Sequence, residues 1–392
     1  MVNFCEFDKY AVKSYCAIHG TDESLNLGDI TRINENTVPR FNMICGGSPC
    51  QDFSSIGKRR GAVWTCRKCG YQYNPLQVHY SIRGQCGKCG SADIEKTRSS
   101  LLVEWLRMIR GVRPAWGIYE NVKNIVSRQF MDTFHLFEKE LWEYGYNTYW
   151  AVLNAKHYGI PQNRERVYLI LVRKEADNGR FCFPGGLATS GCLENILEKT
   201  ADEKYYLKKE TVRRYTENTG GLPLLFEPDE DAIRLWKEGC VEKTGNIILV
   251  RQKTRKGYEE CRCGGIVNLS YSHTLKSGRV MEHGTMCPTI TTSPGIFRLE
   301  SLFRIRMLTP LECYRLMGFE DEDFWKAKET GVSDSQLYKQ TGNSIVVDVL
   351  FYIFLELYKA MPYLFDDIRL SSYFSGIGAF EKALKRLEKY LE

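Results

Sequence analysis

Long apolar runs are absent from this sequence of 392 residues. No stretch approaches the roughly 20 uninterrupted apolar residues that a membrane-spanning helix needs. The opening run MVNFCEFDKY also lacks the basic and apolar regions of a signal peptide. These absences predict a cytoplasmic protein with no membrane partner. Because disulfides are rare in that compartment, the 15 cysteines are expected to be thiols, metal ligands or a nucleophile.

The sequence also lacks a strong excess of charge of either sign. Lys and Arg number 54 against 48 Asp and Glu, and the net charge of +6 is a mild lean toward polyanionic partners that decides nothing alone. With 43% hydrophobic residues, the chain can bury a large core, sufficient for one large domain and one or two smaller ones.

Short apolar runs alternate with helical patterns through the first half of the chain. Such runs can form buried parallel strands, and their alternation with helices predicts an α/β sheet. A helix with one apolar face is predicted over residues 101–109, with Ser99 and Ser100 as its caps. The predicted strands are residues 2–5, 41–46, 116–119, 149–153 and 167–172.

The pattern changes at residue 183, where short segments broken by Gly, Pro, Asn and charge begin. It continues to residue 302, so a smaller domain of strands and loops is predicted there. The main domain then comprises residues 1–182, with an insertion at 63–95, and residues 303–392. Helical periodicity returns at 310–317 and 344–361.

The last residues of the chain resemble the opening of a nucleotide-binding sheet. A strand at 368–374, a glycine turn at 375–378 and an amphipathic helix at 379–391 follow one another. Such a unit expects a further strand, and the strand at 2–5, which ends beside Glu6, can supply it. We therefore predict that these two strands lie parallel in one sheet.

Three polar clusters adjoin the predicted strands. Cys50 follows the strand at 41–46 in GGSPCQ, Glu120 follows the strand at 116–119 in ENV, and Arg164 and Arg166 precede the strand at 167–172 in QNRER. A lone cysteine in such a loop is more often a buried thiol. Together, however, a thiolate, a carboxyl group and two guanidinium groups suit nucleophilic addition to a pyrimidine ring.

Six blocks of the sequence resemble the successive signature blocks of the cytosine-C5 DNA methyltransferase family. The resemblance covers nearly the whole chain outside residues 183–302. It implies a doubly wound sheet that binds S-adenosylmethionine, a target-recognition domain at 183–302 and a double-stranded DNA substrate. A monomer is expected, although nothing in the sequence fixes the oligomeric state. The glycine-turn block stands last here, so the resemblance is to a circularly permuted member. The blocks are GGSPCQDFS, YENV, HYGIPQNRERVYLI, RMLTPLECYRLMGF, YKQTGNSIV and YFSGIGAFEKAL.

The resemblance implies a role for each residue of the polar clusters. Cys50 is expected to attack C6 of a cytosine that has been flipped out of the duplex. Glu120 is expected to contact the N3 edge of the base and Arg166 its carbonyl oxygen, with Arg164 beside them. Transfer of the methyl group to C5, loss of the C5 proton and elimination of Cys50 would then give 5-methylcytosine.

The resemblance also implies a pocket for S-adenosylmethionine. Glu6 is expected to accept hydrogen bonds from the ribose hydroxyls and Phe7 to stack on the adenine, while the glycine turn lets the backbone approach the methionine portion. The expected pocket residues are Glu6, Phe7, Asp29, Ile30, Gly47, Pro49, Asn343, Ser344, Phe374, Ser375, Gly376, Ile377 and Gly378.

Two Cys-x-x-Cys pairs lie in the insertion, with residues 70–85 between them. Four thiolates at this spacing predict a closed tetrahedral site for structural zinc, formed by Cys66, Cys69, Cys86 and Cys89. Incidental cysteines or a redox pair are the alternatives. No metal is assigned to Cys261 and Cys263, which have no partner pair. Basic residues near the first pair either touch phosphates or form a solvated surface, namely Lys58, Arg59, Arg60, Arg67 and Lys68.

Residues 183–302 also contain Thr289 and Ile290, which resemble a short dipeptide of the family's target-recognition domain. The basic residues of this region can contact either bases or phosphates: Arg251, Lys253, Arg255, Lys256, Arg262 and Arg279.

Two alternative functions stay open. A tRNA cytosine-C5 methyltransferase shares the nucleophile and the cofactor pocket, although the long region at 183–302 favours DNA. A non-catalytic, zinc-containing DNA-binding protein is the other alternative. The presence of Cys50, Glu120, Arg164 and Arg166 argues against it, because a binding module needs no nucleophile. A restriction-modification system, a phage and an orphan enzyme are equally compatible with the sequence.

Overall fold

The computed structural model describes residues 1–49, 61–188, 191–207, 247–251, 258–262, 264–268, 280–281, 285–300 and 305–392. Their contacts divide them into two compact units. Unit 1 contains Met1–Asn154, Glu165–Gly185 and Val349–Glu392, and unit 2 contains Ala155–Arg164 and Gly186–Asp348. Residues 303–348, which the sequence pattern assigns to the main domain, group by their contacts with unit 2. The division into functional domains stays a prediction.

The strands and helices are named in chain order. The strands are β1 (Asn3–Cys5), β2 (Met43–Gly46), β3 (Trp64–Cys66), β4 (Gln72–Tyr73), β5 (Ile94–Lys96), β6 (Trp116–Val122), β7 (Tyr146–Asn154), β8 (Gln162–Asn163), β9 (Glu165–Arg173), β10 (Ile247–Arg251), β11 (Tyr258–Arg262), β12 (Ile266–Asn268), β13 (Val280–Met281), β14 (Cys287–Pro288), β15 (Ile296–Leu299), β16 (Ile305–Met307) and β17 (Leu370–Tyr373). The helices are α1 (Lys9–His19), α2 (Leu102–Val112), α3 (Met131–Glu143), α4 (Pro310–Arg315), α5 (Asp321–Glu329), α6 (Asp334–Asn343), α7 (Val347–Ala360) and α8 (Ala379–Leu391).

Unit 1 is built on a six-stranded sheet with the order β1-β17-β2-β6-β9-β7. Strands β1, β17, β2 and β6 are parallel, so the expected α/β sheet is confirmed. The expectation of a parallel strand at 167–172 is wrong, because β9 is antiparallel to both β6 and β7. The connection from β7 to β9 is too short for the crossover of a dozen or more residues that parallel strands need.

The C-terminal strand β17 lies inside this sheet, between β1 and β2. Asn3 pairs with Ser371 and Cys5 with Tyr373 in parallel register, which confirms the predicted arrangement of the two terminal strands. All four residues of β17, from Leu370 to Tyr373, are buried. The first and last segments of the chain therefore form neighbouring strands.

Helix ends in unit 1 follow local capping chemistry. Asp8 caps α1 by accepting hydrogen bonds from two backbone N–H groups, and Gly20 ends that helix with a left-handed φ of 62°. The predicted helix at 101–109 is confirmed as α2. The prediction that Ser100 caps it is wrong, because the Ser100 hydroxyl donates to the Thr97 carbonyl and accepts from the Trp64 indole.

The insertion after residue 60 forms a small three-stranded sheet with the order β4-β3-β5, which we call the ribbon. Its strands are antiparallel. Trp64 and Leu76 of the ribbon belong to the main hydrophobic core of unit 1, together with Trp105 and Phe137. The ribbon is therefore anchored in the core through its own apolar side chains.

Unit 2 combines antiparallel strands with helices α4, α5 and α6. Its four-stranded sheet has the order β13-β12-β15-β16, and β10 pairs with β11 in a separate two-stranded sheet. A small core of Val267, Phe297 and Leu299, among others, lies against this sheet. The described parts of residues 183–302 thus confirm the expected strands and loops.

Among the described residues, one helical stretch, Asp334–Ala360, has the length and apolar content of a membrane span. Of its most apolar window, 67% is buried inside the protein, and a core helix of a folded domain meets the same criteria.

Candidate active site

Cys50 lies outside the described residues, but the residues that precede it are fixed at the end of β2. The hydroxyl oxygens of Ser48 and Tyr119 lie 2.6 Å apart, and the Asn121 amide donates to the Ser48 carbonyl oxygen at 3.0 Å. All three side chains are buried. Strands β2 and β6 are parallel, so their carboxyl ends meet at one edge of the sheet. The chain enters the segment that contains Cys50 from this edge.

Gly47 is required at this edge because another backbone passes too close for a side chain. A Cβ atom at Gly47 would lie 2.8 Å from the Glu120 carbonyl oxygen. The small residue brings the end of β2 against β6, where Glu120 stands. The predicted contact of Gly47 with a cofactor stays a prediction.

Glu120 and Arg166 form an ion pair on neighbouring strands. The Arg166 Nε atom lies 3.2 Å from Glu120 Oε1, and the side chains are only 15% and 12% exposed. The strand predicted at 116–119 is longer than expected, because β6 continues through Glu120 to Val122, which pairs with Arg166 of β9. The antiparallel ladder keeps the segment extended, and this pairing places the guanidinium beside the carboxylate.

Arg164 belongs to unit 2, whereas Glu120 and Arg166 belong to unit 1. Its guanidinium donates to the backbone carbonyl oxygens of Ile290 at 3.0 Å, Gly342 at 3.1 Å and Ser344 at 2.8 Å. These bonds tie three segments of unit 2 together. Arg164 therefore has a structural function within unit 2, and its catalytic role stays a prediction.

Glu6 connects the two ends of the chain. Its Oε1 atom accepts hydrogen bonds from the backbone N–H groups of Phe7 at 2.9 Å and Asp8 at 2.8 Å, and its Oε2 atom accepts from Gly376 at 2.9 Å. Burial raises the pKa of Glu6, while the backbone N–H groups of Asp8 and Gly376 act in the opposite direction. The carboxylate is thus oriented beside the glycine turn.

The glycine turn is left-handed at three positions, since φ is 56° at Phe374, 55° at Gly376 and 80° at Gly378. A Cβ atom at Gly378 would lie 2.0 Å from His19 Nε2, so glycine is needed there for close packing. A Cβ at Gly376 would meet no atom within 4 Å. The backbone at Gly376 is therefore open to a ligand, next to the Glu6 carboxylate.

Phe7 and the loop after α1 complete the surroundings of Glu6. The Phe7 ring is 81% exposed, which suits a surface for stacking. Asp29 accepts a hydrogen bond from the Thr31 backbone and starts a short turn, within which Ile30 is buried. Asn26, which the sequence patterns do not identify, donates to the Glu6 carbonyl and accepts from the Glu6 N–H group. The only sequence signal for Asn26 is that it is a polar residue between two leucines in the segment LNLGD.

The remaining expected pocket residues are distributed over both units. Ser375 and Ile377 are buried within the turn, and Pro49 is half-buried at the end of β2. Asn343 is exposed and Ser344 is buried at the end of α6 in unit 2. Their contact with a cofactor stays a prediction.

The four ribbon cysteines converge. Their sulfur atoms all lie within 4.8 Å of one another, with Cys66 3.5 Å from Cys89 and Cys69 3.6 Å from Cys86. Four sulfurs bound to a tetrahedral zinc at about 2.3 Å would lie about 3.8 Å apart. The cluster therefore has the donor set and spacing of a zinc site. No second group of this kind is found in the part of the chain that the structure describes.

Each pair of ribbon cysteines forms a tight turn of the same geometry. Gly70 donates to the Cys66 carbonyl and Gly90 donates to the Cys86 carbonyl, both at 2.8 Å. Both glycines are left-handed, with φ of 71° and 72°. Arg67 is exposed and lies 3.8 Å from Asp93 and from Glu95. Phosphate contact by the basic residues stays a prediction, and Lys58, Arg59 and Arg60 lie outside the described residues.

Few of the basic residues that are expected to contact bases or phosphates lie within the described part of the chain. Arg251 ends β10 and Arg262 ends β11, while Lys253, Arg255, Lys256, Arg279 and Cys263 lie outside the described residues. The Thr289 hydroxyl donates to the Asn163 carbonyl at 2.6 Å, and Ile290 is buried. This dipeptide therefore serves at least the internal packing of unit 2.

Comparison with known proteins gives consistent matches. The family described as C-5 cytosine-specific DNA methylase matches residues 1–69 and 79–359. The orphan methyltransferase M.SPBetaI of Bacillus phage SPbeta is 31% identical, over 91% of this chain and 91% of its own. The type II methyltransferase M2.ScrFI of Lactococcus lactis subsp. cremoris is 32% identical, over 86% of this chain and 71% of its own. The crystal structure of the S. pombe Dnmt2 methyltransferase aligns with a TM-score of 0.52 at 18% identity, covering 93% of this chain and 91% of that one.

Proposed function

The chain belongs to the C-5 cytosine-specific DNA methylase family, so its activity is DNA cytosine-5 methylation, and we propose that it acts through a covalent bond between Cys50 and C6 of the base. The buried pairing of Glu120 with Arg166 at the edge where β2 leads toward Cys50 is the observation that carries this proposal. The pair supplies a carboxyl group and a guanidinium group, which assist the addition of a nucleophile to a cytosine ring.

Addition to the ring begins with the Cys50 thiolate, which attacks C6 and shifts the electrons of the C5–C6 double bond toward C5. Arg166 donates to the carbonyl oxygen of the base, and Glu120 holds a proton at the N3 edge. Both contacts stabilise the negative charge that develops on the ring. Because the neighbouring bases shield C6 in a stacked duplex, the cytosine is flipped out for this reaction.

The second half of the reaction restores the aromatic base. S-adenosylmethionine, when bound, supplies an electrophilic methyl group to C5. Loss of the C5 proton to a base returns the electrons of the C–H bond to the ring, and the Cys50–C6 bond breaks to release the thiolate. The enzyme is unchanged and the product is 5-methylcytosine.

We propose that the cofactor lies along the glycine turn, held by residues from both ends of the chain. Support comes from the open face at Gly376, the oriented carboxylate of Glu6 and the exposed ring of Phe7. Glu6 accepts hydrogen bonds from the ribose, Phe7 stacks on the adenine, and Asp29 and Ile30 contact the adenine edge. Gly47 and Pro49 complete the part of the proposed pocket that unit 1 supplies, and Asn343 and Ser344 of unit 2 stay predicted cofactor contacts.

We also propose that the chain is a circularly permuted member of its family. Two observations support this proposal. The family match ends at residue 359, before the strand, turn and helix of the C-terminus. Strand β17 nevertheless pairs with β1 and β2 on its two sides. In this proposal, the last segment supplies the cofactor turn that opens the sheet in other members.

The ribbon is proposed to hold one structural zinc ion through Cys66, Cys69, Cys86 and Cys89. Four thiolates leave no open coordination position, so the ion stabilises the fold and takes no part in methyl transfer. Residues 70–78 lie outside the family match, which agrees with an inserted element. Action in the cytoplasm is proposed as well, since the named relatives are methyltransferases of a bacterium and a phage, and the enzyme is proposed to act as a monomer.

The test uses purified protein, tritiated S-adenosylmethionine and three substrates: duplex DNA, the same DNA as single strands, and tRNA. Transfer to duplex DNA alone, abolished by Cys50→Ala, is expected. Transfer to tRNA alone would favour the tRNA enzyme instead. DNA binding without any transfer would favour the non-catalytic alternative. Bisulfite sequencing of the product then gives the target sequence and separates restriction-associated from orphan activity by comparison with host sites.

A further inference from the structure

Residues 27–33, which we call the Asp29 loop, lie between α1 and β2 and begin against β1. The Leu27 N–H group donates to the Phe4 carbonyl at 2.7 Å, and the Cys5 thiol donates to the Gly28 carbonyl at 2.9 Å. Both bonds connect the start of the loop to β1, which leads into the proposed cofactor site. The first end of the Asp29 loop is therefore fixed.

Arg107 of α2 holds the other end of the Asp29 loop. Its Nη2 atom donates to the Ile30 carbonyl at 2.8 Å, and its Nη1 atom donates to the Ile33 carbonyl at 2.7 Å. These two carbonyl groups belong to the first residue of one short turn, Ile30–Arg32, and to the residue that follows it. Because the guanidinium group is planar and rigid, the turn cannot move away from α2 without losing both bonds.

Two carboxylates hold the Arg107 guanidinium in turn. Glu104 of α2 accepts from its Nε atom at 2.9 Å, and Glu35, just after the loop, accepts from its Nη1 atom. The three side chains are between 8% and 21% exposed, so solvent screens these charged bonds little. A Cβ atom at Gly111 would overlap the Glu35 side chain, so α2 has a glycine where Glu35 packs. Arg107 is therefore held from both sides.

The Asp29 loop presents one oriented carboxylate to the solvent. Asp29 Oδ1 accepts from the Thr31 N–H group at 2.9 Å and from the Thr31 hydroxyl at 2.8 Å, and the Asp29 side chain is 47% exposed. A carboxylate accepts a hydrogen bond from an amino group and repels a carbonyl oxygen. Adenine has an amino group at C6, whereas hypoxanthine has an oxygen there. A carboxylate fixed in this way can distinguish the two bases.

We propose that Arg107 is a positioning residue for cofactor selection, which fixes the Asp29 loop so that its carboxylate meets the amino group of the adenine. This inference rests on the proposed function, in which Asp29 contacts the adenine. Arg107 itself touches no atom of the cofactor. The expected signature is a loss of preference for adenine over hypoxanthine, because a residue that only stabilised the fold would weaken the binding of both bases equally.

The experiment compares wild-type protein with Arg107→Lys, which keeps the charge but cannot bond two carbonyl groups as a rigid fork. Arg110→Lys is the matched control on the same helix. Arg110 also approaches Glu35, at 3.8 Å, but its guanidinium lies over the Tyr80 ring. Calorimetry measures the Kd of each full-length protein for S-adenosylhomocysteine and for S-inosylhomocysteine. Neither ligand has a methyl group to transfer, so binding is measured without turnover.

Wild-type protein is expected to bind S-adenosylhomocysteine about tenfold to a hundredfold more tightly than S-inosylhomocysteine, which is the usual cost of an unmatched polar contact. Arg107→Lys should reduce this ratio of affinities at least threefold, mainly through weaker binding of the adenine ligand. Arg110→Lys should keep the wild-type ratio. A change smaller than threefold in Arg107→Lys would overturn the proposal, even if both ligands bound more weakly.

The melting temperature without ligand shows whether Arg107→Lys is folded. If it is not, Glu104→Gln, which removes one of the charges that hold the guanidinium, is judged by the same threefold criterion.

Asp29→Ala separates the two levels of inference. A wild-type ratio in Asp29→Ala would refute the proposed adenine contact, and wild-type protein that bound no S-adenosylhomocysteine would refute the proposed cofactor site. If Asp29→Ala loses the preference while Arg107→Lys keeps it, only the role of Arg107 fails.

Discussion

Glu120 and Arg166 are buried charges that stabilise each other, and each loses its partner when the other is replaced. Glu120→Gln keeps the side-chain shape but removes the charge and the exchangeable proton. We expect kcat to fall by about a hundredfold or more, which is the usual effect of losing a proton-transferring group. Binding of S-adenosylmethionine, measured by calorimetry, should be unaffected because Glu120 contacts the base in the proposed mechanism.

The matched control is Glu165→Gln, one position before Arg166 on β9. Glu165 pairs with Lys123 at 2.9 Å, but both side chains are about half exposed, so the pair contributes little. This variant should retain nearly full activity. A Glu120→Gln enzyme with a rate within threefold of the control would show that the buried pair is structural only.

Glu6 gives the cofactor site a pH dependence of definite sign. Burial raises its pKa above the ordinary value of 4.5, whereas ribose hydroxyls are bound by the ionised form. Cofactor affinity should therefore be flat at neutral pH and decrease as the pH falls through the raised pKa. Calorimetry between about pH 5 and pH 8 measures this change in cofactor affinity. Glu6→Gln should bind more weakly at every pH and lose the dependence; a variant that retained the same pH profile would assign it to another group.

At the scale of elements, two positions of the glycine turn need glycine for different reasons. Gly378 is needed for both close packing and a left-handed backbone, and Gly376 for the backbone conformation alone. Gly378→Ala adds a Cβ atom 2.0 Å from His19 Nε2 at a left-handed position, whereas Gly376→Ala adds one in open space. We expect unfolding free energies lower by about 3 kcal/mol for Gly378→Ala and about 1 kcal/mol for Gly376→Ala, since only the former adds overpacking to backbone strain. Urea denaturation measures both. Equal losses would contradict the packing argument.

The ribbon should lose its metal when one thiolate is removed. Purified wild-type protein is expected to contain one zinc per chain, and Cys86→Ser less than half of that, with a lower melting temperature for the ribbon. Cys182→Ser is the control, because Cys182 is exposed and outside the cluster. Wild-type protein prepared without chelators that contained no zinc, with the ribbon still folded, would rule out the metal site.

Much of the fold follows from local pattern. The amphipathic run at 379–391 gives α8 with its ends correct, and the apolar runs give five strands of the main sheet. Strand direction does not follow from such runs, because a buried antiparallel strand such as β9 is as apolar as a parallel one. Helices α1 and α3 are not among the predicted elements, although each buries an apolar face, as Tyr15 with Ile18 and Phe134 with Phe137 show.

Site residues were predictable where chemistry and spacing coincide, as for the four cysteines and for Glu120 with Arg166. Residues that act by hydrogen-bonding backbone groups far along the chain produce no recognisable sequence pattern. Asn26 is an ordinary polar residue until the fold brings Glu6 beside it. Arg164 belongs to the same class, since its partners are carbonyl groups far along the chain.

At the scale of the whole molecule, the parallel pairing of the terminal strands makes the segment order exchangeable. Residues 365–392 placed ahead of Met1, with a short Gly and Ser linker, should give a folded enzyme with cofactor affinity close to wild type. The new loop joins Glu392, after the end of α8, to Met1, and the strands on either side of this connection, β17 and β1, already pair. The cost of closing a loop rises only slowly with its length, so a short linker should be tolerated. Calorimetry with S-adenosylmethionine is the measurement. A soluble, folded product unable to bind the cofactor would argue against the permuted arrangement.

The internal position of β17 also has a consequence for folding. Among the described strands, β17 is the last in sequence, yet it lies between the two earliest, β1 and β2. Until β17 is synthesised, β1 and β2 each have an unpaired edge, and their later pairing with β17 joins residues far apart in the sequence, which slows folding and exposes the nascent protein to aggregation. A product that ended before β17 would therefore keep two open strand edges in place of one continuous sheet.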